Sequence, residues 1–198
     1  TKVNVKNING RVEIVAWDKD YIDITAIKKC HKIIDKQGEL QKVKIEISNE
    51  NGCTIETIHL KKNPKVSVSY EIKIPHDFMV GKIENSNGAI VLKQVTNGNL
   101  ITSNGAIKID DVNENFTAKT SNGSIKVNGV NGEISAHTSN GSINIGNADK
   151  IGNLRTSNGS IKADVFAIEN DNEIRTSNGS IKLYFSDNVN AEITAKTS

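Results

Sequence analysis

From residue 81 onward the apolar positions follow one template. Six copies of Ser-Asn-Gly, with glycines Gly88, Gly105, Gly123, Gly141, Gly159 and Gly179, are each followed by an isoleucine four places after the Ser: Ile90, Ile107, Ile125, Ile143, Ile161 and Ile181. Two places further on stand Leu92, Ile109, Val127, Ile145, Ala163 and Leu183, and three places before the Ser stand Ile83, Leu100, Ala118, Ala136, Leu154 and Ile174. Apolar and polar residues thus alternate on both sides of every copy, the period of a half-buried strand. The glycine spacings are 17, 18, 18, 18 and 20, an internal repeat of about 18 residues. Each unit reads as strand, SNG corner, strand, then a polar connection such as NGVNG at 128–132.

Two architectures satisfy this pattern. Asn-Gly is a strong turn signal because both residues tolerate positive φ at little cost, so each corner could close a hairpin in a long antiparallel β-meander. Alternatively, each corner bends one coil of a β-solenoid whose coils stack in parallel. A meander would leave one apolar face open, and no segment has the 3.6-residue period of a helix able to cover it. Stacking coils about 4.8 Å apart would also bring Asn87, Asn104, Asn122, Asn140, Asn158 and Asn178 into a ladder of like amides. The expected fold class is all-β, a β-solenoid of about 18-residue coils, with the meander as the alternative.

Residues 1–80 keep the alternation in longer, less regular strands. VNVKNINGRVEIVAW (3–17) and KVKIEISNENGCTIETIHL (42–60) each read as strand, turn, strand, and KVSVSYEIKIP (65–75) as one strand ended by a proline. A lysine-rich connection, KKCHKIIDKQGELQK, occupies 28–42. These residues are expected to form larger coils or a capping sheet over one end of the stack, since solenoids need atypical terminal units. No linker composition separates the halves. Residues 1–198 therefore read as a single elongated solenoid domain, with the irregular strands and cap in 1–80 and the six repeats in 81–198.

Composition agrees with a strand core: 36% of residues are hydrophobic but only 4% aromatic, and the apolar columns are mostly Ile and Val. The 25 Lys and Arg against 23 Asp and Glu leave a net charge of +2, so bulk charge demands neither nucleic acid nor an anionic membrane. Apolar runs are far too short to span a bilayer. The chain opens at Thr1 and closes in AKTS, the letters also found at 118–121. Both ends read as trimmed, so a missing signal peptide or anchor excludes nothing, and membrane association would come only through missing segments. Cys30 and Cys53 could pair if their strands are neighbours, but two cysteines make no disulfide framework and read as small thiols.

No catalytic constellation is legible. His31, His59, His76 and His137 sit in unrelated contexts with no partner at metal-ligand spacing. The serines of the SNG copies lack a strained G-x-S-x-G elbow and a nearby His, so they read as corner chemistry. Calcium-binding solenoids carry an acidic residue at each corner, whereas the corner here is T-S-N-G-S. No phosphate-cradling glycine loop is present. Ice binding through the threonines is disfavoured because Thr102, Thr120, Thr138, Thr156 and Thr176 alternate in phase with the apolar columns and so point inward. The chain is expected to be no enzyme and to need no cofactor or metal.

The outward columns carry more. Two places before the motif Ser come Ile101, Lys119, His137, Arg155 and Arg175, with Lys196 in the same place of an incomplete last unit; five places after it come Val91, Lys108, Lys126, Asn144, Lys162 and Lys182. Over 81–198 there are 11 basic and 12 acidic residues, so this clustering is no by-product of net charge. Such lysines can simply keep strand edges from pairing. They also form a candidate polymer-binding stripe of Lys108, Lys119, Lys126, His137, Arg155, Lys162, Arg175 and Lys182. Like charges stacked about 5 Å apart favour a neutralising polyanion such as a teichoic acid, an acidic polysaccharide or lipid headgroups. No aromatic residues interleave to stack bases, which argues against nucleic acid.

The opening NINGRVEIVAWDKDYIDI, the strand YEIKIPHDF and the TSNGSIKV-type units, in that order, make nearly the whole chain resemble the bacterial DUF4097 family of adhesin-type repetitive all-β proteins. The resemblance implies a solenoid-like domain in a cell-envelope setting, without assigned catalytic residues. Together these readings give a non-enzymatic adhesion or scaffold domain at the cell surface or outside the cell. Its expected partner is a cell-wall or surface polysaccharide, another anionic polymer or a host surface. The alternative is an envelope-stress or ligand-sensing module whose output lies in another domain.

Overall fold

A computed structural model describes residues 1–31, 34–50, 52–169, 171–187, 189, 192 and 194. In the first part of the chain lie β1 (Lys2–Asn9), β2 (Val12–Trp17), β3 (Asp23–Cys30), a one-turn helix α1 (Lys36–Leu40), β4 (Val43–Ser48), β5 (Cys53–His59) and β6 (Val66–Pro75). There follow β7 (Met79–Asn87), β8 (Ile90–Lys93), β9 (Thr96–Asn104), β10 (Ile107–Asn122), β11 (Ile125–Asn140), β12 (Ile143–Asn158), β13 (Ile161–Ala167), β14 (Ile174–Asn178) and β15 (Ile181–Phe185).

The repeats pair in parallel and in register. Ile90, Ile107, Ile125, Ile143, Ile161 and Ile181 are consecutive neighbours, as are Thr102, Thr120, Thr138, Thr156 and Thr176. A meander requires antiparallel neighbours, so the fold is the β-solenoid. One face runs β4-β5-β1-β7-β9 and on through the C-terminal halves of β10, β11 and β12 to β14; the other runs β3-β6-β2-β8 and on through their N-terminal halves to β13 and β15. Between the faces the Ile, Val and Leu columns meet, and nearly all of them are fully buried from Val3 to Val165. Removing such side chains from water is the main stabilising term.

The expected polar connections prove to be strand. β10, β11 and β12 each run for 16 residues and pair on both sides of their bends, with register irregularities between β11 and β12 at Val130/Glu133 and Ile134/Ala136. The turning positions are stacked: Gln94, Asp111, Gly129 and Asn147 share one column, each with φ between 51° and 75°. Asn97 and Glu114, with φ of 56° and 63°, share the next. A single left-handed residue redirects the chain while its neighbours stay extended. Between the two columns Val95, Val112, Val130 and Ala148 point into the core, so each coil has a short third side.

Residues 1–80 form both parallel and antiparallel pairs. β1 and β5 pair in parallel on one face and β2 and β6 on the other, so they continue the stack as coils. β3 and β4 pair antiparallel to β6 and β5 and cap the end. Within the lysine-rich connection, the Asp35 carboxylate accepts from the Gly38 N–H at the start of α1, and buried Glu39 accepts from Lys42 Nζ and the Lys65 N–H. At the other end Ile181 and Phe185 are 40% and 41% exposed, where the preceding coil buries the corresponding Ile161 and Val165. Among the described residues no helix is long and apolar enough to cross a membrane.

Candidate functional site

The SNG corner sets the spacing from which every outward column is built. A Cβ at Gly105, Gly123, Gly141, Gly159 or Gly179 would lie 2.0–2.1 Å from the carbonyl oxygen of the glycine one coil before. The sequence argument for these glycines was tolerance of positive φ, but at these five positions φ is not in the left-handed range. Glycine is required there because one backbone passes directly over another. The threonine before each motif completes the contact: Thr120, Thr138, Thr156 and Thr176 donate their hydroxyls to Gly105, Gly123, Gly141 and Gly159 oxygens at 2.8–3.0 Å. Nearer the cap, Asn85 takes the threonine's place and donates to the Gly10 oxygen. This buried polar column continues through Asn7 and Thr57 to the hydroxyl of Tyr70, which burial pushes up in pKa.

The side-chain amides of Asn87, Asn104, Asn122, Asn140, Asn158 and Asn178 form one chain, each donating to the Oδ1 of the Asn before it at 2.8–2.9 Å. The first acceptor is Asn9, a member the sequence reading missed. Its signal was there: Asn9-Gly10 precedes Val12 at the spacing by which each later motif precedes its isoleucine.

Either side of this ladder run the cationic columns. Lys119, His137, Arg155 and Arg175 are register neighbours on one face. On the other, Lys108 neighbours Lys126 and Lys162 neighbours Lys182, with Asn144 between the two pairs. Lys196 lies outside the described residues. Several of these cations have local company. Lys108 meets Asp110 two residues along its own strand, Arg155 and Arg175 share Glu173, and the Lys162 amine sits 5.3 Å from the Tyr184 ring centroid. Acids also stand close by, for Asp110 and Asp164 lie on the lysine-bearing strands. Lys119, Lys126, His137 and Lys182 have no ion-pair partner among the described residues. Lys119, His137 and Arg155, with Thr117, Ser135 and Asn153, line a shallow groove of about 420 Å³ across three coils.

The other titratable groups stay apart. His31 bonds Ser67, His76 pairs with Asp18 at 3.2 Å, and burial pushes His59 down. No disulfide joins Cys30 and Cys53, because β3 pairs with β6 and β5 with β1 and β4; burial pushes the Cys53 thiol up. Among the described residues no three His, Cys, Asp or Glu side chains are grouped to hold a metal ion.

No curated protein matches the chain. Among solved structures, it is similar to a "putative cell adhesion protein" from Clostridium sporogenes ATCC 15579, at 12% identity and a TM-score of 0.48 over 93% of this chain and 92% of that one. It is also similar to a "putative adhesin" from Bacteroides fragilis NCTC 9343, at 15% identity and a TM-score of 0.49 over 93% and 89%. The family model of Toastrack DUF4097 matches residues 1–198, and the chain belongs to that family.

Proposed function

We propose that the protein is a non-enzymatic adhesion or scaffold domain of the cell envelope or the extracellular space, and that it binds an anionic polymer along the two cationic columns. The observation that carries this reading is their register. Parallel stacking sets Lys108 beside Lys126, Lys162 beside Lys182 and Arg155 beside Arg175, about 4.8 Å apart. Like charges so placed repel one another, and a polymer of regularly spaced anions relieves the repulsion while releasing its own counter-ions. The hydroxyls and amide of Thr117, Ser135 and Asn153 beside the first column offer hydrogen bonds that a bare electrostatic surface lacks. The test is retention on immobilised heparin and teichoic acid of the wild type and of the doubly substituted Lys126→Glu, Lys162→Glu protein. Earlier, salt-sensitive elution of the variant supports the reading, and equal, salt-insensitive retention removes it.

A further inference from the structure

A second groove lies at the bend where Gln94, Asp111 and Gly129 stack, away from the SNG corner. It encloses about 330 Å³ and is lined by His76, Gln94, Asp111, Asn113, Gly129 and Asn131. Its lining comes from the residues that follow β6 and β8 and from the bends of β10 and β11; β8, β10 and β11 are adjacent layers, and the β2 layer contributes none. Its polar groups are available. Asn131 Nδ2 donates to Asn113 Oδ1 at 3.0 Å, which leaves the other half of each amide unused. The Gln94 amide and Asp111 carboxylate have no side-chain partner among the described residues. Gly129 keeps Asp111 open: its φ is 75°, and a Cβ there would lie 2.5 Å from Asp111 Oδ1.

Beyond His76 lies the one aromatic pair in ring contact among the described residues. His76 pairs with Asp18, and Asp18 belongs to the loop that presents Trp17 and Tyr21. Their rings meet edge to face, with centroids 4.9 Å apart at 76°. The Trp17 indole N–H donates to the Tyr21 carbonyl, which fixes the indole, and Tyr21 is 49% exposed. In a chain whose aromatics are only 4% of residues, the single Trp is half-buried and stands beside a Tyr left largely in solvent.

We propose that this corner binds an uncharged oligosaccharide. Amides that both donate and accept, with a carboxylate and an imidazole, match the hydroxyls of a sugar, and the aromatic pair matches the apolar face of a pyranose once the Lys19 and Lys73 amines, 4.7 and 5.2 Å from the Trp17 ring centroid, swing aside. No lysine or arginine lines the groove, and Asp111 repels anions, so the ligand class differs from the polyanion of the cationic columns. The lining spans the adjacent β8, β10 and β11 layers, about 4.8 Å apart and so comparable with the length of one sugar ring, which suits a short chain of rings better than a single sugar.

Trp17 is the only tryptophan, so its emission reports on this corner alone. The experiment titrates the full chain with chitotetraose, cellotetraose and maltotetraose, following Trp17 fluorescence and, in parallel, heat by isothermal calorimetry. A saturable signal with at least one of them is expected. Gln94→Ala and Asp111→Asn should each weaken that binding, roughly three- to tenfold for a lost hydrogen bond, and Tyr21→Ala should weaken it by removing the ring face, while Lys126→Glu with Lys162→Glu leaves it unchanged. Neither fluorescence nor heat with any of the three sugars overturns the proposal. So does binding that survives all three groove substitutions or is lost in the lysine variant.

Discussion

Replacing Gly141 by alanine tests whether backbone contact, rather than backbone conformation, dictates the repeated glycine. The added Cβ would stand 2.1 Å from the Gly123 oxygen and 2.6 Å from its carbon, where real contacts do not fall below 3.0 Å. The two coils must therefore open locally by about 0.9 Å. Across that gap run Gly123 N–H to Asn140 O at 3.1 Å, Ile125 N–H to Ser142 O at 3.0 Å and Thr138 Oγ1–H to Gly123 O at 2.9 Å. Opening stretches all three beyond useful hydrogen-bond length, and at about 1 kcal/mol each the loss is about 3 kcal/mol. If the coils hold instead, the overlap is absorbed as strain of about 1–3 kcal/mol. Gly146→Ala is the control, since its Cβ would find only Asp164 Oδ2 at 3.5 Å and Asn128 Oδ1 at 3.7 Å. It should stay within about 0.5 kcal/mol of wild type. Urea unfolding followed by far-ultraviolet circular dichroism compares the two. Equal midpoints for Gly141→Ala and Gly146→Ala would refute the reasoning.

Three further outcomes follow from the corner and its flanks. Thr138→Val keeps the shape but leaves the Gly123 carbonyl without its donor at a site where Thr138 is 0% exposed; the urea midpoint should fall by an amount worth about 1–3 kcal/mol, and Thr138→Ser should recover much of it. Asn85 Oδ1 is buried without a partner, so Asn85→Thr, which keeps one donor for the Gly10 oxygen and removes the orphan acceptor, should raise the midpoint. The hydrogen bond from Lys93 holds the Glu13 carboxyl below the usual carboxylate range. That stabilisation is present above the unfolded pKa of about 4.3 and is lost as pH falls through the lower folded value, so the stability gap between wild type and Lys93→Gln should narrow from about pH 5 to pH 2.

Much of this molecule is written as period and spacing. Copies every 18 residues, with Ile at one fixed place and Thr at another, place like residues side by side once the coils stack, and the inward and outward columns then follow from alternation. What spacing does not carry is contact between coils. Asn-Gly in a single copy suggests a turn with positive φ; only the stacked backbone shows Gly123 O lying where a Cβ of residue 141 would be. The connection at 128–132 reads as polar, but it is continuous strand with a left-handed bend at Gly129, as 110–114 is with bends at Asp111 and Glu114. Pairing partners were hidden for the same reason. Asp110 shares a face with Lys108 because the strand continues through it, and Glu173 reaches Arg155 from the next coil. The groove at the second bend draws His76, Gln94, Asp111 and Asn131 from four separate segments, and no local pattern connects them.

The functional account rests on cations in register meeting a polyanion, and the salt dependence of binding measures that directly. Affinity for heparin fragments, determined at several salt concentrations, should fall linearly in a double-logarithmic plot, with a slope that counts the cations engaged. Lys119 and Lys126 have no local acid to neutralise them, so the Lys119→Gln, Lys126→Gln protein should lose about 0.7 of slope per lysine, taking the value for single-stranded polyelectrolytes. A slope lower by about 1.4, with the urea midpoint unchanged, is the predicted result. A slope identical to wild type would contradict the account.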